Sequence, residues 1–86
     1  MVKRVMERQN KEYTLCIIGG AGHVGLPLGV VMANSGVNTV LFDINKEMLK
    51  KIQTGIFPFK EKGGSAALKR ALESGRLFIS DSPEII

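Results

Sequence analysis

The chain has one cysteine, Cys16, and one histidine, His23, in 86 residues. A single cysteine excludes an internal disulfide and a cysteine-built metal cluster, and a single histidine excludes a two-histidine metal site. Tryptophan is absent and aromatic residues make up only 6% of the chain. Tyr13, Phe42, Phe57, Phe59 and Phe78 do not interleave with the lysines, as the stacking platforms of a nucleic-acid binder tend to. No apolar run approaches the ~20 residues of a membrane span. The first twelve residues carry both signs of charge and no apolar centre, unlike a secretory leader. The expectations that follow are a reducing compartment, no membrane and no nucleic-acid partner. The length leaves room for one domain at most, and a chain this short buries only about 60–65% of the surface exposed by its unfolded form.

What the sequence does contain is ordinary globular composition, 44% hydrophobic and 23% charged. Its net charge of +4 is shared between two regions. Residues 1–12 hold Lys3, Arg4, Arg8 and Lys11 against Glu7 and Glu12; residues 13–86 hold eight basic and six acidic side chains. Residues 1–12 therefore read as a basic N-terminal extension, either frayed or forming a short helical stripe through Val2, Val5 and Met6. The rest carries a solvated mixed surface, Lys60, Glu61 and Lys62 included.

From Tyr13 to Ile18 the chain is β-branched and apolar and runs into glycines, the pattern of a strand buried on both faces in a parallel sheet. A helix is expected from about His23 to Ser35, with Val24, Leu28, Val31 and Met32 on its inner face, Pro27 in its first turn and Gly36 closing it. Residues 38–44 make a second strand. Asn45 caps a helix to Thr54 that turns Met48, Leu49 and Ile52 inward, and Gly55 closes it. After a loop over 55–64, Ser65 is positioned to cap a third helix with Leu68, Ala71 and Leu72 inward, followed by a third strand over 76–80. Ser82, Pro83 and Glu84 then signal a helix start, and a start so near the last residue reads as a truncated chain. Strands alternating with helices imply parallel pairing. The expected fold is α/β, a Rossmann-type three-layer arrangement with a partial parallel sheet of three strands in the order 3-2-1. Its expected core is Leu15, Ile17, Val24, Leu28, Val31, Val40, Phe42, Leu49, Ile52, Leu68, Leu72, Leu77 and Ile79, and Cys16 reads as core filler.

The segment Gly20-Ala21-Gly22-His23-Val24-Gly25 fits G-x-G-x-x-G. That spacing alone is weak in a glycine-rich chain. Its context is selective: it leaves a buried strand, opens a helix, and is followed by a second strand that ends in Asp43, eighteen residues after Gly25. In such a turn the first glycine permits the tight bend, the second lets a pyrophosphate approach the backbone, and the third lets the helix pack closely. The helix start then offers free N–H groups to the phosphates. Asp43 is placed to accept hydrogen bonds from the adenosine ribose hydroxyls and would repel a 2′-phosphate, which favours NAD over NADP. The expected cofactor site is thus Gly20, Ala21, Gly22, His23, Val24 and Gly25 with Asp43. The bland alternative is an ordinary strand-to-helix turn, with His23 a variable position within it.

Residues 15–86 resemble the N-terminal segment of the nucleotide-sugar 6-dehydrogenases, which act on UDP-glucose, GDP-mannose and UDP-N-acetylmannosamine. The resemblance lies in GAGHVGLPLG at 20–29, LFDIN at 41–45, GIFPFKEKG at 55–63 and ALESGRLFISDS at 71–82. Three positions depart from the family pattern: His23 stands where Tyr is usual, Lys62 replaces the proline of an E-P-G loop, and Met48 lies where many members carry a cation near the adenosine. The resemblance implies that residues 13–86 are the N-terminal part of an NAD-binding Rossmann domain. It implies a parent enzyme that oxidises the C6 alcohol of a UDP- or GDP-sugar to a carboxylate with two NAD, through a downstream cysteine for which Cys16 cannot substitute. It further implies a cytoplasmic homo-oligomer serving polysaccharide biosynthesis, with a nucleotide sugar as substrate and no catalytic residue or metal ligand in this segment. Two rivals stand beside it. GGAGHVG at 19–25 also resembles the turn of the extended short-chain epimerases and dehydratases, and a nucleotide-binding module without chemistry would need no more than this motif. Finally, the strand over 13–18 would present an open apolar edge, expected either to self-associate or to pair with the chain's own N-terminal segment.

Overall fold

The computed structural model describes residues 2–4 and 14–82. The rest of the N-terminal extension, Tyr13, and the helix start expected at Pro83 and Glu84 lie outside them. The elements run β1 (Val2–Arg4), β2 (Leu15–Ile18), α1 (Gly25–Asn34), β3 (Thr39–Phe42), α2 (Lys46–Gln53), α3 (Gly64–Glu73) and β4 (Leu77–Ser80). They form one four-stranded sheet in the order β1-β2-β3-β4. The three strands β2, β3 and β4 are parallel, with Leu15, Thr39 and Leu77 in register at one end and Ile18, Phe42 and Ser80 at the other. This is the expected 3-2-1 order.

The fourth strand is the departure. Val2–Arg4 pairs antiparallel with β2, placing Val2 opposite Ile17 and Arg4 opposite Leu15. Of the segment expected to fray or to form a helical stripe, the described residues Val2–Arg4 form a strand; Val5 and Met6 lie outside the described residues. The strand satisfies backbone groups along the β2 edge, the second of the two outcomes expected for that edge.

Alternation along the strands sends side chains to opposite faces. Ile17 and Leu41 face the helices and join Leu26, Val30, Ala33, Leu49, Ile52, Phe57, Leu68, Ala71 and Leu77 in the main core. Cys16, Val40 and Phe42 make a second buried cluster on the other face, flanked by Ile18 and Phe78. A helical layer over that second face is not among the described residues. All four residues of β3 are buried, the polar Thr39 with the apolar Val40, Leu41 and Phe42, as expected of a central parallel strand. Five side chains of the main core, Ile17, Leu26, Leu41, Ile52 and Leu68, are fully buried, each contributing roughly 1.5–3 kcal/mol of apolar transfer.

The inner face of α1 differs from the expected one. Val24 and Val31 are 79% and 59% exposed, and Leu28 is only half-buried. The buried residues are Gly25, Leu26, Gly29, Val30 and Ala33. The helix is apolar on most sides, so hydropathy does not select a face; the small residues Gly25, Gly29 and Ala33, four apart, select it by allowing close approach. Leu15, Leu72 and Ile79 are likewise half-buried rather than central. The expected ends of α1 and α2 are confirmed: the Val37 N–H donates to the Met32 carbonyl and the Ile56 N–H to the Lys51 carbonyl, both at 3.0 Å, closing each helix at Gly36 and Gly55. Asn45 caps α2 by accepting from the Met48 N–H at 3.0 Å. For α3 the expected cap, Ser65, is displaced: Gly63 occupies the N-cap position with no side-chain bond, and Ser65 lies inside the helix.

Candidate functional site

The turn between β2 and α1 is built by glycines with distinct tasks. Gly19, at φ +79°, takes the left-handed conformation, so the bend falls one residue before the expected Gly20. The N–H groups of Gly19 and Gly20 both donate to the Phe42 carbonyl at 2.9 Å, which ties the turn to the end of β3. Gly20 is a close-approach residue: a Cβ there would stand 2.6 Å from the Leu41 Cβ and 2.8 Å from the Leu41 Cα. A Cβ on Gly25 would stand 2.5 Å from the Gly19 carbonyl oxygen, so this glycine closes the turn. The glycine beneath the helix, where it meets the sheet, is Gly29, whose added Cβ would lie 2.4 Å from Leu41 Cδ2. Gly29 thus shares with Gly25 the close-packing role expected of Gly25 alone. Gly22 is different again. A Cβ there would meet only the Gly19 carbonyl oxygen, at 3.3 Å, so its outer side is open.

The start of α1 is uncapped. Val24 occupies the N-cap position without a side-chain bond, and the first turn carries no acidic residue. The Ala21 N–H donates to Asp43 and the Gly22 N–H to Gly19. Those of His23, Val24 and Gly25 have no protein acceptor among the described residues. Three unpaired donors lie at a helix N-terminus, an end that carries about half a positive charge and favours anions.

Asp43 follows β3 directly and is half-buried. Its Oδ2 accepts from the Ala21 N–H at 2.9 Å and its Oδ1 from the Asn45 N–H at 3.0 Å. A carboxylate offers about four acceptor positions, so each oxygen retains capacity for a hydroxyl donor. The carboxylate is therefore aimed by the same turn that presents the N–H groups. Ile44, next in sequence, is 83% exposed. Sequence reasoning missed this bare apolar side chain beside the carboxylate. Met48 packs against the main core.

The loop after α2 returns to the glycine turn. Phe57 is buried, and a Cβ on Gly64 would stand 2.6 Å from its ring. Phe59 meets Phe57 edge-on at 5.9 Å and stacks on His23 with ring centroids 3.9 Å apart. Phe59 was not expected at this site; 36 positions separate it from His23 in sequence, and no local pattern signals the contact. Lys60, Glu61 and Lys62 are exposed, as a solvated loop should be.

The arrangement is chemically suited to binding: unpaired N–H donors at a helix start that follows the open side of Gly22, and a carboxylate oriented by the same turn. Cys16 is fully buried in β2 and unavailable as a nucleophile. No cluster of three metal-ligating side chains occurs among the described residues, and no helix among them is long and apolar enough to cross a membrane. An open groove of about 340 Å³ runs separately between α2 and β4, past Lys46, Lys50 and Ile79.

Comparison with known proteins agrees with this geometry. Residues 13–85 match the family model for the NAD binding domain of the UDP-glucose/GDP-mannose dehydrogenase family. The UDP-N-acetyl-D-mannosamine dehydrogenase of Pyrococcus horikoshii is 37% identical over 65 residues, which is 76% of this chain and 16% of that protein. The UDP-glucose 6-dehydrogenase of Rickettsia typhi is 40% identical over 58 residues, 67% of this chain and 13% of that one. Among solved structures, the UDP-D-ManNAc dehydrogenase of P. horikoshii aligns with a TM-score of 0.75 at 35% identity, covering 80% of this chain and 16% of that one. The UDP-glucose dehydrogenase of Pyrobaculum islandicum aligns with a TM-score of 0.73 at 34% identity, covering 78% and 15%. The chain thus spans about a sixth of the length of these relatives. The strand order, the uncapped helix start, the Asp43 carboxylate and the match over residues 13–85 agree: this chain belongs to the UDP-glucose/GDP-mannose dehydrogenase family, as part of its NAD binding domain.

Proposed function

We propose that the chain supplies the dinucleotide cradle of an NAD-dependent nucleotide-sugar 6-dehydrogenase, an enzyme that oxidises the C6 alcohol of a UDP- or GDP-sugar to a carboxylate. NAD, when bound, accepts the hydride; this chain's residues bind and orient it. Gly22 gives the pyrophosphate its closest approach, and the N–H groups of His23, Val24 and Gly25 donate to it. Gly20 and Ala21 hold the turn against β3 and against Asp43. Asp43 accepts from the adenosine ribose hydroxyls, and the exposed Ile44 beside it offers the adenine an apolar surface. The observation that carries this reading is the set of three unpaired N–H groups at an uncapped helix start, joined to the ribose carboxylate through the Ala21–Asp43 hydrogen bond. The nucleotide-sugar substrate, a homo-oligomeric parent protein and a cytoplasmic location belong to the same proposal, drawn from the family.

Calorimetric titration of the protein with NAD and with NADP tests it. NAD should bind more tightly, and Asp43→Asn should narrow the difference by weakening NAD. A hydrogen bond to a charged group contributes about 1.5–3 kcal/mol, so the loss for NAD should be about 10- to 100-fold. Equal or tighter NADP binding by the unaltered protein refutes the role given to Asp43.

A further inference from the structure

The glycine turn is tied to the rest of the molecule on two sides. One tie is polar and lies within the expected site: the Gly19 and Gly20 N–H groups on Phe42, and the Ala21 N–H on Asp43. The other is aromatic and comes from outside it. His23, whose N–H is one of the three unpaired donors, places its imidazole against the Phe59 ring at 3.9 Å with 28° between the planes. Phe59 is in turn braced edge-on by Phe57 at 5.9 Å and 88°. Phe57 is buried in the main core against Gly64, the first residue of α3. A continuous path of packed rings thus runs from the hydrophobic core, through loop 55–64, to the middle of the phosphate turn.

We propose that Phe59 is a positioning residue for the dinucleotide site: by stacking on His23 it holds the turn with its donors aligned and couples loop 55–64 to the bound cofactor. This rests on the reading of the turn as the NAD cradle. His23 is exposed, so the stack leaves its ring edge in water and restricts chiefly its rotation. A turn whose donors are already aligned forfeits less conformational freedom when a ligand arrives, and affinity rises accordingly. The coupling acts in both directions, since a ligand that orders His23 must also favour the loop conformation that presents Phe59.

The experiment compares Phe59→Leu, which keeps apolar bulk without a ring, with Phe59→Tyr, which keeps the ring. Each is titrated with NAD alone and in combination with His23→Ala. Aromatic pairs add modest energies, so F59L should weaken NAD binding roughly three- to tenfold while F59Y restores it. Because both partners act through one contact, F59L should have no further effect once His23 is alanine. The His23 ring protons of the unaltered protein should resonate upfield of their position in F59L. NAD binding indifferent to F59L, or effects of F59L and H23A that simply add, overturns the coupling alone. Failure of the unaltered protein to bind NAD overturns the proposed function and the coupling with it, while the ring-proton shift still reports whether the stack exists.

Discussion

Replacing Gly22 by alanine separates binding from folding at this site. Its backbone lies outside the left-handed region, and an added Cβ would have one close neighbour, the Gly19 carbonyl oxygen at 3.3 Å. The turn needs to yield by only a few tenths of an ångström. Against that strain stands a gain of about 0.4–1 kcal/mol from the less flexible unfolded chain. With a strain and a gain both on the order of 1 kcal/mol or less, and roughly 4–8 °C per kcal/mol for a domain of this size, the melting temperature should stay within several degrees of the unaltered value. Binding should respond quite differently. The new methyl projects into the open side of Gly22, where the proposed function places the pyrophosphate, and holds a phosphate away from the His23, Val24 and Gly25 donors. Loss of one charge-assisted hydrogen bond, at about 1.5–3 kcal/mol, lowers affinity for NAD about 10- to 100-fold. Calorimetric titration beside a circular-dichroism melt measures both quantities. An alanine variant that folds normally and binds NAD within about threefold of the unaltered protein refutes the placement of the phosphates over Gly22. A collapse of the melting temperature refutes the open geometry of the turn.

Two further outcomes are expected. Gly20→Ala drives a methyl into the Cα and Cβ of Leu41, atoms that no side-chain rotation moves aside; overpacking of about 1–3 kcal/mol should lower the melting temperature by about 5–20 °C, and a rise would show the close approach to be misplaced. Residues 1–86 on their own should reduce no NAD with UDP- or GDP-sugars, because Cys16 is sealed within β2; NADH absorbance appearing on addition of any such sugar would contradict this.

The legible part of this molecule was whatever hydropathy and turn chemistry encode locally. The β2, β3 and β4 strands, the Asn45 cap and the Gly36 and Gly55 helix ends all carry their signals within a few residues of where they act. The face of α1 did not, because a helix apolar on most sides has no hydrophobic stripe to read. Gly25, Gly29 and Ala33 set that face through their small size, a property that a scale of hydrophobicity does not register. Their spacing of four was the signal available. At the site, the fingerprint located the turn but not all of its parts: Gly19 makes the bend and Gly29 joins Gly25 in the close packing of the helix, because backbone torsions and helix docking depend on neighbours brought in from β3. Phe59 was invisible for a further reason. Its partner is far off in sequence, and an aromatic residue in a loop looks the same whether it meets solvent or a histidine. The β1 pairing was anticipated from the opposite direction, from the needs of an exposed edge and not from any strand pattern in Val2–Arg4.

An edge strand has one open side, and that side admits one neighbour at a time. In doubly wound sheets the strand preceding the glycine turn is flanked on that side by a fourth parallel strand. Here the berth is taken by β1, which runs in the opposite direction. The two arrangements exclude one another: a parallel newcomer could dock on β2 only after β1 had let go. Among the described residues the pairing involves three residues of β1, on the side of β2 away from β3 and β4. The N-terminal strand thus shields the backbone along one side of β2, the side that a doubly wound sheet pairs in parallel.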